Sequence, residues 1–574
     1  MSDTLTLALA QADFLVGDLD GNLERMRRWR ARAREAGADV VVFPELALCG
    51  YPPEDLVLKR ALTDYAARLV ARFAGETADG GPAVILGAPH RGPGAPRPRN
   101  SAFVLAAGRV VARVDKHALP NYGVFDEVRV FEPGPIPGPV RLAARGGDVR
   151  LGVMICEDMW VEDVAEGLEE SGAELLLVLN GSPFETDKPD HRLHHAVARV
   201  TETGLPLVYV NTVGGQDELV FDGASFALSA ERRLVAQAPS FAEHLLLVRF
   251  ARDGEGRLVP AGDHEIHRPP ERLRAIYQAL VLGVRDYVEK NGFPGVVLGL
   301  SGGIDSSLSA VIAVDALGPA RVRALAMPSR FTSRASLEDA RTVAERLGIR
   351  LDEISIEPPF SAFLDTLAPL FDDLPFSTAE ENVQARIRGV LLMAVSNKFG
   401  PMVLSTGNKS EMSVGYATLY GDMAGGFSAL KDVYKTTVFE LARLRNRWRP
   451  PDARGPAGAP IPERVLTKPP SAELRENQRD EDALPPYPVL DAILHGLIEE
   501  DLAPPELVAR GFDPATVRRV ARMLDAAEYK RRQAPPGVKI TSRAFGRDRR
   551  YPVTNAFRRT GIFDSDGSAE RGQG

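Results

Sequence analysis

The chain has 574 residues, 44% hydrophobic and 26% charged, with a formal charge of −8 despite 70 lysines and arginines. The length implies more than one domain and the composition is that of a globular protein; the acidic balance argues against a nucleic-acid coat but leaves room for local anion sites. No apolar run reaches membrane-spanning length, Met1-Ser2-Asp3 does not open a secretory signal, and only two cysteines occur, Cys49 and Cys156, which excludes a disulfide framework and fits a reducing cytoplasm.

Short apolar runs at 5–10, 40–43, 84–86, 110–114, 151–155, 175–179 and 207–210 read as strands, and helical periodicity covers 23–36 and 190–203. The mixture predicts an α/β layered domain over residues 1–250. Glu45 follows Val40-Val41-Val42-Phe43-Pro44, Lys116 follows the run 110–114, and Cys156 ends the run 151–155. Each residue alone has an ordinary reading: a lone cysteine is usually a buried small hydrophobe, and a lone carboxylate or ammonium a solvated charge. His191, His194 and His195 have helical spacing and no cysteine partners, so they read as a solvated helix face and not as zinc ligands. Segments 87–99 and 450–462 are dense in proline and glycine and predict surface loops or disorder. The polar tail 564–574 is expected to be mobile.

Residues 251–270 are polar and rich in Gly, Asp and Pro, which places a linker there. Beyond it, candidate strands at 296–300, 322–326, 351–356 and 402–405 alternate with helical stretches. That pattern predicts a doubly wound parallel sheet over 271–574. Ser301-Gly302-Gly303-Ile304-Asp305-Ser306-Ser307 lies between a buried strand and a helix start. Small residues there let backbone N–H groups converge on an anion, and the helix dipole adds to the attraction. No Gly-Lys-Ser/Thr ending follows, so it is not a Walker A loop. Ser405-Thr406-Gly407-Asn408-Lys409-Ser410-Glu411 follows another strand, at the end where open α/β sheets bind ligands. Asp305 and Glu411 are candidate magnesium ligands, because hard cations take carboxylate and phosphate oxygens. Thr378 and Glu381 have capping-box spacing. Asn382 and Arg386 share a helical face that is either solvated or meets an anionic dinucleotide.

Segment 301–307 resembles the pyrophosphate loop of enzymes that cleave ATP to AMP and pyrophosphate. Phe43-Pro44-Glu45, Asp115-Lys116-His117 and Ile155-Cys156-Glu157 together resemble the Glu-Lys-Cys triad of the nitrilase superfamily. The resemblance implies an α-β-β-α sandwich in which Cys156 is the nucleophile, Glu45 the base and Lys116 the charge near the oxyanion. It further implies that Glu127 supports the lysine and that Tyr122, Ser182 and Lys188 contact glutamine.

Added to Met327-Pro328-Ser329-Arg330-Phe331-Thr332-Ser333, 378–388, 405–411, Leu430-Lys431-Asp432-Val433-Tyr434-Lys435-Thr436 and 530–539, these motifs resemble the glutamine-dependent NAD synthetase family over nearly the full chain. The resemblance implies that Gly299, Leu300, Ser301, Gly302, Gly303, Ile304, Asp305, Ser306 and Thr406 hold ATP, with Arg330 on the nucleotide side. It implies deamido-NAD contacts at Asn382, Glu411 and Lys530, with Asp432 on the nicotinate side. Lys409 and magnesium are expected to share the phosphate charge, and the chain is expected to form a homo-oligomer that touches neither nucleic acid nor membrane. The implied activity is hydrolysis of glutamine, adenylation of deamido-NAD by ATP with loss of pyrophosphate, and displacement of AMP by ammonia passed internally. Two alternatives stand beside it: a pyrophosphate-loop amidotransferase acting on a different acceptor, or a nitrilase-like amidase with a nucleotide-sensing half. Acceptor-dependent release of pyrophosphate separates all three. A non-catalytic interaction protein fits least, because both reactive constellations look complete.

Overall fold

Alternate residues of the strand Thr4–Gln11 face two different apolar layers, and that alternation organises the first half of the chain. Leu5, Leu7 and Leu9 pack with Val153, Ile155, Leu177, Leu179, Val208 and Val210, which come from a second sheet. Ala8 and Ala10 face the other way, onto Leu23, Met26, Trp29, Leu69 and Phe73 of the helices Leu19–Glu35 and Arg60–Glu76. A strand buried on both faces is apolar at most positions, which is why these strands read as near-continuous runs. The computed structural model describes residues 4–557 except Gly146, Asp187 and Asp373, so the tail 564–574 lies outside the described residues.

The first sheet has the order Leu258–Pro260, His244–Arg252, Thr4–Gln11, Val40–Val42, Ala83–His90, Arg99–Ala106, Arg109–Asp115. The second has the order Leu234–Gln237, Phe226–Leu228, Leu207–Asn211, Leu175–Asn180, Gly147–Ile155, Val140–Ala144. Helices Glu162–Glu170 and Lys188–Thr203 cover its outer face through Val164, Leu168 and Val200 against Met154, Leu176 and Val178. The result is an α-β-β-α sandwich.

Segment 87–99 is not a loop throughout. Residues 87–90 continue the strand Ala83–His90, which pairs with Arg99–Ala106 in the register Gly87↔Ala102, and 91–98 make the connection. The glycine is there for close approach: a Cβ on Gly87 would lie 2.2 Å from the Leu46 nitrogen, in the turn that carries Glu45. Segment 251–270 also contributes to the sandwich, because Leu258–Pro260 forms the sheet edge and Gln237 bonds to Glu265 and His267. The chain divides into two compact units at residues 271/272.

The second unit holds a five-stranded, all-parallel sheet in the order Arg350–Glu353, Val322–Ala326, Val296–Gly299, Met402–Ser405, Phe427–Ser428. The first strand in sequence is central, and the chain reverses its walk between Val296–Gly299 and Met402–Ser405. Loops leaving adjacent strands in opposite directions open a crevice at such a switch point. The helices Arg272–Lys290, Ile304–Leu317 and Lys435–Arg447 pack against one another, while Thr378–Phe399 packs Leu392 and Val395 onto Val297, Leu325 and Val403 of the sheet. A further helical cluster gathers Leu490, Ile493, Leu494, Val517, Val520 and Leu524.

The long helix begins one residue earlier than its spacing predicts. Ser377, not Thr378, is the cap: its hydroxyl accepts from Ala379 N, and Glu380 accepts the Ser377 N–H at 2.7 Å. Segment 450–462 is likewise ordered. Buried Arg445 donates to the carbonyls of Pro456 and Gly458 and makes a paired contact with Asp315, which Tyr277 also bonds. Proline-rich composition concealed this, because the partners are a side chain and a helix elsewhere in the sequence. Among the described residues no helix is long and apolar enough to cross a membrane.

Candidate active sites

In the first unit three strand ends deliver Glu45, Lys116 and Cys156 to one buried place. Lys116 Nζ, fully buried, donates to Glu45 Oε1 at 2.8 Å and to both oxygens of Glu127 at 2.8 and 3.0 Å. Glu45 also accepts from Asn100 Nδ2 at 2.7 Å and from Gly181 N at 2.9 Å, and Tyr51 donates to Glu127 at 2.9 Å. A side chain at position 181 would meet the Tyr51 ring at 2.8 Å, so glycine permits the N–H to reach the carboxylate. Burial disfavours the Lys116 charge, yet Glu127 and Glu45 hold it protonated well above the ordinary lysine range.

Cys156 is 3% exposed and sits at φ +48°, a left-handed conformation that costs a non-glycine residue about 1–3 kcal/mol. Burial pushes its thiol up, Glu45 adds to the rise, and Lys116 opposes it. The resting sulfur is therefore a neutral thiol that needs a base before it attacks. Asp158 holds the turn: it accepts the backbone N–H groups of Ile155, His117 and Ala118 at 3.0, 3.0 and 2.8 Å. Burial pushes this carboxyl up to about 6, against those three donors.

Tyr122, half exposed, donates to Glu157 at 3.0 Å and stacks edge-on against Phe125. Lys188 lies over the Phe125 ring at 5.0 Å. Ser182 is nearly fully buried and its hydroxyl accepts from Arg192 at 3.1 Å. Tyr122 and Lys188 thus gather around Glu157, whereas Ser182 belongs to the Arg192–Asp222 network. Asn100 and Tyr51 carried no local signal in the sequence; Glu157 and Asp158 stand out there as acidic residues following the cysteine, without an assigned role. His195 stacks on Trp160 at 4.1 Å.

In the second unit the crevice at the switch point is lined by Gly299, Leu300, Ser301, Gly303, Ile304, Asp305, Ser306 and Thr406. Gly302 has φ +77°, and a Cβ there would lie 2.0 Å from the Ser336 carbonyl oxygen, so only glycine makes this turn. The Ser301 and Ser306 hydroxyls meet at 3.0 Å and close the loop on itself. Among the described residues no side chain caps the helix Ile304–Leu317, which leaves its first N–H groups to an anion.

Asp305 accepts from Asn408 Nδ2 at 2.8 Å and pairs with Lys435 Nζ at 2.5 Å; Glu411 meets the same nitrogen at 3.2 Å. Burial pushes the Glu411 carboxyl up to about 8, with Lys435 opposing and Asp305 adding. Two carboxylates converging beside the uncapped start of the helix Ile304–Leu317 have the hard oxygen donors that fit magnesium. Arg388 also lines the crevice, and burial lowers its guanidinium to about 10.

The other candidate residues of this unit have partners within the chain. Lys409 is fully buried and pairs with Asp432 at 2.8 Å and Glu499 at 2.5 Å, so Lys435 takes the place expected for it at the crevice. Asp432 is 2% exposed and spends its oxygens on Lys409, Ile540 N and Thr541. Arg330 is exposed and paired with Glu357. Asn382 accepts from Thr418 Oγ1 at 2.8 Å, and Lys530 donates to the carbonyls of Gly415 and Ala417 at 2.7 and 2.6 Å. Asn382 and Arg386 both meet the 418–419 segment, so their shared face packs on the protein's own chain.

Residues 6–257 match the carbon-nitrogen hydrolase family and residues 276–534 match the NAD synthase family. Glutamine-dependent NAD(+) synthetases resemble nearly the whole chain. That of Rhodobacter capsulatus is 50% identical, over 97% of this chain and 100% of its own. That of Acinetobacter baylyi is 46% identical, over 96% and 98%. Among solved structures, the Acinetobacter baumannii enzyme in complex with adenosine diphosphate is 44% identical, with a TM-score of 0.75 over 96% of this chain and 98% of that one.

Proposed function

The chain belongs to the glutamine-dependent NAD(+) synthetase family, and on that footing we propose how its residues divide the work. It is a ligase that takes its amide nitrogen from glutamine and uses ATP. In the first unit Glu45 removes the Cys156 proton, the sulfur attacks the glutamine carboxamide, and Lys116 stabilises the oxyanion. Glu45 returns the proton to departing ammonia and then activates water against the thioester. Glu127 and Tyr51 keep Lys116 oriented, while Tyr122 and Lys188 orient the substrate with Glu157. Ser182 is held beside the site by Arg192 and Asn211.

In the second unit the nicotinate carboxylate of deamido-NAD attacks the α-phosphorus of ATP and expels pyrophosphate. Ammonia then displaces AMP, leaving the amide. A free carboxylate is a poor electrophile, so this activation must precede amidation. The 299–306 loop, with Thr406 and Lys435, holds the ATP phosphates. Magnesium, when bound, neutralises phosphate charge, and Asp305 with Glu411 would hold it. Arg388 is the candidate partner for substrate anions that Arg330 was expected to be; Asn382 and Lys530 support the 415–419 segment of the crevice wall. The adenosine diphosphate complex of the Acinetobacter baumannii relative supports the nucleotide assignment.

The observation that carries this reading is the presence, in a chain matched over nearly its whole length, of the Glu45–Lys116 pair beside Cys156 and of the uncapped Ser301–Ser306 turn beside Asp305 and Glu411. The test is release of pyrophosphate on addition of deamido-NAD, with glutamine and ammonia compared as donors; release independent of the acceptor would overturn it. Homo-oligomerisation is part of the proposal, supported by the apolar side chains Val390 and Met393, exposed one turn apart on the same face of the helix Thr378–Phe399. So is a cytoplasmic location, supported by two free cysteines and by the lack of a membrane-spanning helix among the described residues.

A further inference from the structure

Glu265 and His267 lie two residues apart on an extended segment, so their side chains leave it on the same side. The segment is fixed at both ends of that pair: Gln237 N donates to the Glu265 carbonyl at 2.9 Å, and His267 N donates to the Gln237 carbonyl at 3.0 Å. His244 opens the neighbouring strand His244–Arg252, where it is held opposite Gln11. The three side chains converge. His244 Nε2 is 2.6 Å from Glu265 Oε1, His267 Nε2 is 3.0 Å from Glu265 Oε2, and the ligand atoms all lie within 4.8 Å of one another. The two rings stand edge to face, 5.5 Å between centroids.

We propose that His244, Glu265 and His267 form a binding site for a divalent transition-metal ion of the zinc class, outside both reaction centres. Two imidazoles and one carboxylate are a donor set suited to zinc and its neighbours. They are poorly suited to magnesium or calcium, which take oxygen donors. Both histidines present Nε2 to the two oxygens of one carboxylate. The three ligand atoms converge closely enough for one ion to take all of them. Side-chain exposures of 26%, 42% and 43% for His244, Glu265 and His267 leave room for water to complete the coordination. Because the ligands sit on two backbone-anchored elements, little ordering remains to be done on binding. The ion would staple the segment around 265–267 to the sheet of the first unit, a structural role independent of the amidation chemistry.

The experiment uses the full-length protein stripped with a chelator and titrated with Zn2+ and, separately, with Co2+ as a spectroscopic probe. The expected result is one zinc equivalent that is lost in His244→Ala, weakened in Glu265→Gln, and accompanied by a zinc-dependent rise in melting temperature. The loss in His244→Ala and His267→Ala should exceed the roughly 10–100-fold cost of removing a supporting partner. Bound Co2+ should show d–d bands without thiolate charge transfer, which separates this site from Cys156. The affinity should fall as the pH is lowered, because protons compete for the imidazoles. Metal-free melts of the variants establish that they fold. No zinc bound by the wild type, an unchanged stoichiometry in both histidine variants, or cobalt spectra dominated by thiolate bands would each overturn the proposal.

Discussion

Asp158 accepts the backbone N–H of His117 at 3.0 Å, which ties the turn of Cys156 to the strand end of Lys116. The same carboxylate takes the N–H groups of Ala118 and Ile155, so one buried group sets the position of two side chains of the proposed catalytic triad. Asp158→Asn leaves one of these N–H groups facing an amide that cannot accept it. A buried unmade hydrogen bond costs about 1–3 kcal/mol. Glutamine-driven synthesis should fall roughly 5- to 150-fold by the same measure, while ammonia-driven synthesis stays unchanged. The pH profile adds a second readout. With the carboxyl raised to about 6, it is protonated below that pH and loses its charge as an acceptor. Glutaminase activity should therefore decline as pH falls through 6 in the wild type, and that limb should be missing in the variant.

Cys156→Ala should abolish synthesis from glutamine and preserve synthesis from ammonia, measured as NAD formed with each donor. Loss of both would contradict the division of labour between the two units.

Removal of Lys116 should destabilise the first unit as well as silence it. In Lys116→Met the buried Glu45 and Glu127 lose their shared counter-charge, and an uncompensated buried charge of this kind costs about 3–5 kcal/mol. Burial already raises the Glu127 carboxyl, and Lys116 is what opposes it. A raised folded-state pKa means that ionising the group is what destabilises, so the deficit should widen as pH rises and narrow as it falls. Thermal melts at pH 5 and pH 7.5 check the sign.

Asp305→Ala should stop deamido-NAD-dependent release of pyrophosphate and leave measurable glutaminase activity. Normal NAD formation by this variant would refute the phosphate–metal assignment of Asp305.

Gly302→Ala places a Cβ 2.0 Å from the Ser336 carbonyl oxygen at a positive φ, so the loop must move. The apparent KM for ATP should rise at least tenfold, by the roughly 1.4 kcal/mol that a strained left-handed residue brings. Glutamine hydrolysis assayed alone should be unaffected.

Much of the fold was legible because its strands are buried on both faces. Residues 7–10 of Thr4–Gln11 and 175–179 of Leu175–Asn180 are apolar without a break, and such runs stand out in a sequence. The strand Arg99–Ala106 did not, because it begins with Arg99-Asn100-Ser101 and follows a proline-rich connection. Asn100 and Ser101 are polar there for a purpose: they reach Glu45 and Asp115 across the sheet. The linker-like composition of 251–270 similarly concealed an edge strand, since edge positions tolerate polar residues.

Local sequence was enough to place two α/β halves, a thiol, a carboxylate and an ammonium at three strand ends, and a glycine turn that opens a helix. Each follows from local rules: burial dictates apolar runs, and a left-handed turn dictates glycine. The tertiary structure alone decided which charges face the crevice. Lys409 and Lys435 are equally plausible on paper, yet Lys409 turns inward to Glu499, 90 residues away, and Lys435 reaches Asp305, 130 residues away. Direction at a helix start is set by which distant partner satisfies a buried charge, because an unpaired one is too costly to keep. No local pattern encodes that partner, and so the place of Lys435 in the site became readable only from the folded chain.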